Sequence, residues 1–217
     1  MSDDALEILK HETVYQGFAR LDVYRLRHRL YSGGWSGEMD REIFERGATV
    51  GVLLYDPDLD SVVLVSQFRL PPRLAGFPAW QLEIVAGIID RAGESEAEVA
   101  TRETQEEAGL AIIGELEKIH RYMPSPGACT ETVDLFCGRV DASNAGGVHG
   151  LAHEHEDIKV VVLSYREAMR QLRADQVKNG LTVLALYWLA ANRARLRRIW
   201  KRPAPSAQAQ PTTASKS

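Results

Sequence analysis

Residues Ala86–Leu110, AGIIDRAGESEAEVATRETQEEAGL, decide how the rest of the chain is read. The stretch opens on a glycine loop, Gly87 to Gly93, and runs into a helix. Ser95 and Glu98 stand three apart and predict a capping box, in which the hydroxyl accepts from an orphan helix N–H and the glutamate reaches back. Gly109 sits where a left-handed C-terminal cap is wanted. Both ends of the helix are therefore signed.

Ala97, Ala100, Thr104 and Ala108 recur at helical spacing and predict a narrow face of small residues that lies close against a sheet. Glu103 and Glu107 are four apart, so their carboxylates project side by side on another face and repel. No Lys or Arg lies between Arg102 and Lys118 to offset them, and a hard divalent cation with oxygen ligands, Mg²⁺ or Mn²⁺, is the natural partner. Arg102 is expected to pair back to Glu98 and forward to Glu106. On spacing alone a solvated acidic face reads as well, because charge-rich helix faces are usually just wet surface.

The order of the residues separates the two readings. Gly87, Glu94, Arg102-Glu103, Glu106-Glu107 and Gly109-Leu110 resemble the Nudix box: a glycine, a glutamate, then R-E-x-x-E-E-x-G and an aliphatic residue. The spacing from Glu94 to Arg102 matches that pattern. Between Gly87 and Glu94 stand six residues where the family has five, so the added residue lies within Ile88 to Gly93.

The chain has 217 residues, 45% hydrophobic and 26% charged, the balance of an ordinary globular protein with room for a sizeable core. A net charge of −4 argues against a general nucleic-acid binder. No apolar run is long enough to span a membrane, and no signal-peptide pattern opens the chain. Cys129 and Cys137 make neither a disulfide framework nor a thiolate zinc site. A cytoplasmic location is expected, with no nucleic-acid or membrane partner.

Residues 1–10 read as a loose acidic terminus. His11 to Arg29 is strand-like, Gly33-Gly34 marks a turn, and Glu38 to Arg46 reads as a third, polar strand. This antiparallel β arm, residues 1–46, has too little apolar surface to stand alone and must pack on the main domain or another subunit. The main domain, residues 47–202, offers strands at Thr49–Tyr55 and Val62–Phe68 around the turn Asp56-Pro57-Asp58. Pro71-Pro72 and Pro78 predict a loop, and Leu82–Val85 a short apolar run entering the glycine loop. Further strands are expected at Ile112–Met123, Thr132–Val140 and Lys159–Leu163, with Asp141–Asp157 a long polar loop. Helices follow at Tyr165–Asp175 and Leu181–Trp200, the latter with Leu184, Leu186, Trp188 and Leu189 on its apolar part and a basic end that suits the helix dipole. Residues 203–217, rich in Pro, Ala, Ser, Thr and Gln, predict a disordered tail. The pattern is α+β, and the Nudix resemblance implies an α/β/α sandwich.

Hydrolysing a diphosphate needs charge neutralisation, a positioned water and a base. The best base candidates lie at His153-Glu154-His155-Glu156-Asp157, where an extended segment would alternate the glutamates and the histidines. A histidine metal site including His149, and a solvated loop, are the competing readings; imidazole suits zinc better than magnesium.

The run from Gly147, GVHGLAHEHEDIKV, with YQGF near the N-terminus, REIFERG around Arg41 and SPGACTE from Ser125, resembles the bacterial ADP-ribose pyrophosphatase family. That resemblance implies Glu154 as base and Glu156, Glu103, Glu107 and the Ala86 carbonyl as metal ligands. It implies substrate contacts from Phe18 on an adenine, from Arg41, Glu42, Arg46 and Arg69, from the Ser125-Pro126-Gly127 turn, and from Glu131 to a ribose hydroxyl. Read as residues alone, Phe18 fits a core aromatic, the arginines surface ion pairs, and 125–127 a plain turn. The resemblance also implies a homodimer with exchanged arms, a small nucleoside diphosphate sugar as substrate, and Mg²⁺-dependent cleavage of ADP-ribose to AMP and ribose 5-phosphate. Alternatives are hydrolysis of another such sugar, such as GDP-mannose, and a non-catalytic nucleotide-binding module.

Overall fold

The central strand, β4 (Ala48–Asp56), builds two cores at once. The computed structural model describes residues 5–200, so the expected tail at 203–217 lies outside the described residues. Alternation along β4 sends Val50, Val52 and Leu54 into one apolar cluster and Leu53 and Tyr55 into another, all fully buried. β5 (Ser61–Phe68) repeats the device with Val63 and Val65 against Val62 and Leu64.

Before β4 come β1 (Leu6–Gln16), β2 (Arg20–His28) and β3 (Met39–Glu45), an antiparallel three-stranded sheet in the order β1-β2-β3. The chain is already strand at Leu6, so the loose terminus expected over 1–10 is corrected for residues 6–10, which pair with Arg25–His28 of β2. After β5 the prolines do not form the expected loop. Pro71 and Pro72 occupy the first positions of a short helix, α1 (Leu70–Leu74), where a missing N–H costs nothing. β6 (Trp80–Glu83) then pairs with β5, and β7 (Val85–Ile88) pairs with β4. Gly87 is thus a strand residue opposite Val50, and the loop begins after Ile88.

The predicted helix is α2 (Glu96–Ala108), followed by β8 (Glu117–Tyr122) and β9 (Thr132–Arg139). The loop expected at 141–157 contains a short strand, β10 (Val148–His149), and a 3-10 turn at Ala152–Glu154. His155 is left-handed at φ 57°, and Gly146, Gly147 and Gly150 all have positive φ. The extended alternation of glutamates and histidines is therefore overturned: the segment turns back on itself. β11 (Ile158–Ser164), α3 (Tyr165–Arg173) and α4 (Gly180–Trp200) complete the described chain.

The eight-stranded sheet runs β10-β11-β5-β4-β9-β8, with β6 on β5 and β7 on β4 off that path, β4 and β9 parallel and the other neighbours antiparallel. One face carries α2 through Val99, Ala100 and Ala108; the other carries α3 and α4 through Met169, Leu172, Leu186, Leu189 and Leu196. The α/β/α sandwich is as expected. On α4, Leu184 faces outward. The basic end of α4 is ion-paired: Arg193 and Arg197 meet Asp60 in the β4–β5 turn, and Arg195 meets Glu117 at 2.8 Å. Among the described residues no helix is long and apolar enough to cross a membrane.

Candidate active site

Both caps of α2 form as the spacing predicts. Ser95 Oγ accepts from Glu98 N at 3.3 Å, Ser95 N donates to Glu98 Oε2 at 2.8 Å, and Gly109 closes the helix at φ 63°. The buried face is Val99, Ala100, Thr104, Glu107 and Ala108; Ala97 is exposed, a correction to the small-residue face. Arg102 does not pair with Glu98, whose carboxylate is spent on the cap. It holds Glu94 at 3.1 Å, Glu103 at 2.7 Å and Glu106 at 3.0 Å, the loop folding back to bring Glu94 beside it. Three acids hold this guanidinium firmly charged.

Glu103 and Glu107 reach towards β7. A Cβ on Gly87 would stand 2.1 Å from Glu103 Cδ, so only glycine leaves space for that carboxyl. Glu107 Oε2 accepts from Ala86 N at 3.2 Å. A strand residue points its N–H and C=O to the same edge, so the Ala86 carbonyl faces that edge too. Burial pushes the Glu103 carboxyl up to about 7; Glu106 and Glu156 add to the rise, and Arg102 opposes it. Burial likewise pushes Glu107 up to about 8, with Glu103 and Glu156 adding to it and the Ala86 amide and Arg69 opposing. Two carboxyls that hold protons this high are short of positive charge, which fits a site for a divalent cation with oxygen ligands.

Glu156 comes within electrostatic reach of both, although its Oε2 accepts from Leu151 N at 3.0 Å. The loop 146–157 is docked on the end of α2: Gly150 N donates to Glu106 O at 3.2 Å, and His149 packs over Gly109. Glu154 points outward beside His153, its side chain 55% exposed. The histidines do not gather, and among the described residues no three His, Cys, Asp or Glu side chains already form a metal-ligand cluster, each carboxylate taking a protein donor instead.

A second group surrounds the start of β4. Glu131 accepts from Thr49 Oγ1 at 3.2 Å and lies 3.9 Å from Arg46. The turn at Ser125, Pro126 and Gly127 is closed by Cys129 N donating to Ser125 O at 3.0 Å. β3 is stitched to the next residues: Phe44 N donates to Ala128 O at 2.8 Å, Thr130 N to Phe44 O at 3.2 Å, and Thr130 Oγ1 to Glu45 Oε2 at 2.6 Å. Arg69 is engaged by Glu83 at 3.0 Å. Arg41 and Glu42 are exposed on β3, and Phe18, in the β1–β2 turn, is 93% exposed, which excludes the core-aromatic reading within one chain. Sequence reasoning does not find Thr49 and Glu83 as partners of the site, and it reads His149 as a candidate metal ligand where the structure packs it over Gly109. An acid inside the apolar run Leu82–Val85 was the one signal available for Glu83.

A model of the NUDIX domain matches residues 45–185. The chain belongs to the Nudix family. An ADP-ribose pyrophosphatase of Escherichia coli (strain K12) is 43% identical over 195 residues, 90% of this chain and 92% of that relative. A GDP-mannose pyrophosphatase of Shigella flexneri is 36% identical over 154 residues, 69% of this chain and 76% of that one. A crystal structure of an ADP compounds hydrolase superposes with a TM-score of 0.68 at 20% identity, covering 91% of this chain and 99% of the other, a likeness of fold. Nudix hydrolases are generally divalent-metal dependent, which accords with the charge-starved carboxyls of the Nudix helix α2.

Proposed function

We propose that this chain is an ADP-ribose diphosphatase that releases AMP and ribose 5-phosphate, uses Mg²⁺ (or Mn²⁺ in its place), and works in the cytoplasm. The observation that carries the hydrolase reading is the buried pair Glu103 and Glu107 against Ala86 and Gly87, with Glu156 in reach. The choice of substrate is supported by the 43% identity to an ADP-ribose pyrophosphatase over 90% of the chain.

Glu103, Glu107, Glu156 and the Ala86 carbonyl are proposed to hold the cation. When bound, such an ion neutralises diphosphate charge and lowers the pKa of a coordinated water. Arg102 keeps Glu103 and Glu106 in place from one side while leaving Glu107 to the strand edge. Glu154, on an exposed 3-10 turn, takes the proton of the attacking water. The water oxygen bonds one phosphorus, the P–O–P bridge breaks, and the bridging oxygen leaves on the other phosphate. Arg46, Arg69 and Glu131, with the backbone of 125–127, are proposed to grip the diphosphate and ribose. Phe18, Arg41 and Glu42 belong to the arm, which we propose is exchanged between two subunits so that these residues serve the partner's site.

The test is AMP release from ADP-ribose with and without Mg²⁺, beside GDP-mannose at equal concentration. Rapid metal-dependent AMP release supports the reading, and its loss in Glu103→Gln with ligand binding retained supports the metal assignment. Cleavage of GDP-mannose alone would move the substrate to that sugar. Tight ADP-ribose binding without turnover would leave a nucleotide-binding module.

A further inference from the structure

Glu83 closes β6 with 5% of its surface exposed, in a run that is otherwise apolar. A carboxylate holds such a place only with donors around it. Arg69 supplies Nη2 at 3.0 Å and Nε at 3.2 Å, both to Oε2, and Gln67 supplies Nε2 at 3.3 Å. The ladder that sets Val65 opposite Glu83, and the bond from Arg69 N to Ala79 O at 2.8 Å, fix the backbone at both ends of the pair. The Arg69 side chain is 41% exposed, and Nη1 makes no hydrogen bond with the described residues. One edge of the fork is therefore buried on Glu83, and the other is open. Arg69 is also within electrostatic reach of Glu107. An unrestrained arginine beside these carboxyls would fold onto them, in competition with a cation.

We propose that Glu83 is a positioning residue: it holds Arg69 away from the α2 carboxylates and aims the free edge of its guanidinium at a phosphate oxygen of the substrate's diphosphate. This rests on the hydrolase reading above.

The test is a double-mutant cycle with Arg69→Ala, Glu83→Gln and the pair, read as KM and kcat for ADP-ribose. Each single variant is expected to raise KM about tenfold, the loss of one charge-assisted hydrogen bond, with kcat within about threefold. The double variant is expected to match Arg69→Ala, because Glu83 acts only through Arg69. Multiplying effects overturn the proposal. A rise in the Mg²⁺ concentration for half-maximal activity in Glu83→Gln is expected to disappear when Arg69 is also Ala; a rise that persists in the double variant overturns the proposal, because it would make Glu83 a metal ligand. Should Glu83→Gln fail to fold, Glu83→Asp, one methylene short of the fork, replaces it in the same cycle with the same criterion. If the wild-type chain leaves ADP-ribose intact, the hydrolase reading fails, and the cycle is run on calorimetric affinity for inorganic diphosphate. Non-additivity there keeps the positioning role, whereas additive losses, or no affinity in the wild type, overturn it.

Discussion

A methyl group at position 87 would collide with the Glu103 carboxyl, whose carbon lies 2.1 Å from where that Cβ would be. The clash is with the end of a side chain, so Gly87→Ala should displace Glu103 and leave the sheet intact. We expect a fall in kcat of at least about a hundredfold with Tm within about 4 °C of wild type, the equivalent of roughly 1–2 kcal/mol in a domain of this size. A fall in Tm large enough to explain the activity would remove the local account. Protons give a second expectation. Glu103 and Glu107 titrate near 7 and 8 in the folded chain against an ordinary value of 4.5. Between 4.5 and those values the folded state binds more protons than the unfolded one, so the contribution of these two carboxyls to stability is fully present below about pH 4.5 and is lost as pH rises through about 8. In the presence of chelator, Tm should decline from about pH 5.5 to about pH 8.5, and Glu107→Gln should flatten that slope. Added Mg²⁺ should stabilise more at the upper end, where it no longer competes with protons. A Tm that climbs across this range in chelator would contradict the buried, charge-starved environment.

At the scale of elements, α2 was legible because its signals are local. A serine and a glutamate three apart, and a glycine one residue past the end, specify the caps whatever packs around them, and Ser95→Ala should cost about 1 kcal/mol, or about 2–4 °C in Tm. The loop at 141–157 was not legible for the opposite reason. Alternation assumes extended backbone, while three positive-φ glycines and a left-handed His155 turn this segment round. Its anchor points, the Glu106 carbonyl and Gly109, belong to another element. The partner of Arg102 was misread in the same way: Glu98 is nearer along the helix, but Glu94 arrives by way of the loop. The prolines at 71 and 72 show a rule with two outcomes, since a residue that breaks a helix interior also begins one well. Glu83 was visible as an acid in an apolar run, and its meaning needed Arg69 beside it.

For the whole molecule, the three-stranded sheet is one layer thick where it extends from the sandwich, and Leu6, Ile8, Val14, Tyr15 and Phe18 are exposed on it. The expectation of two chains predicts a light-scattering mass of twice 24.2 kDa. Phe18→Ser should raise KM for ADP-ribose severalfold without lowering Tm, because Phe18 packs on nothing in its own chain; a monomer with unchanged KM would sink the exchanged-arm proposal.

The double allegiance of β4 restricts how this chain can vary in length. Losing or gaining one residue within β4 would send the side chains beyond the change to the opposite face, putting Val where Leu and Tyr fit and the reverse, and so mispack both cores together. The turn between β7 and α2 has no such constraint. The β7 register, Val52 with Val85 through Thr49 with Ile88, is complete before it, and the Ser95 cap begins anew after it. There the chain carries its one added residue relative to the Nudix box. Removing Ala92 should accordingly be borne with little change in Tm, whereas removing Leu53 should abolish folding; the molecule keeps its slack in the one segment that sets the distance between a strand edge and a helix start.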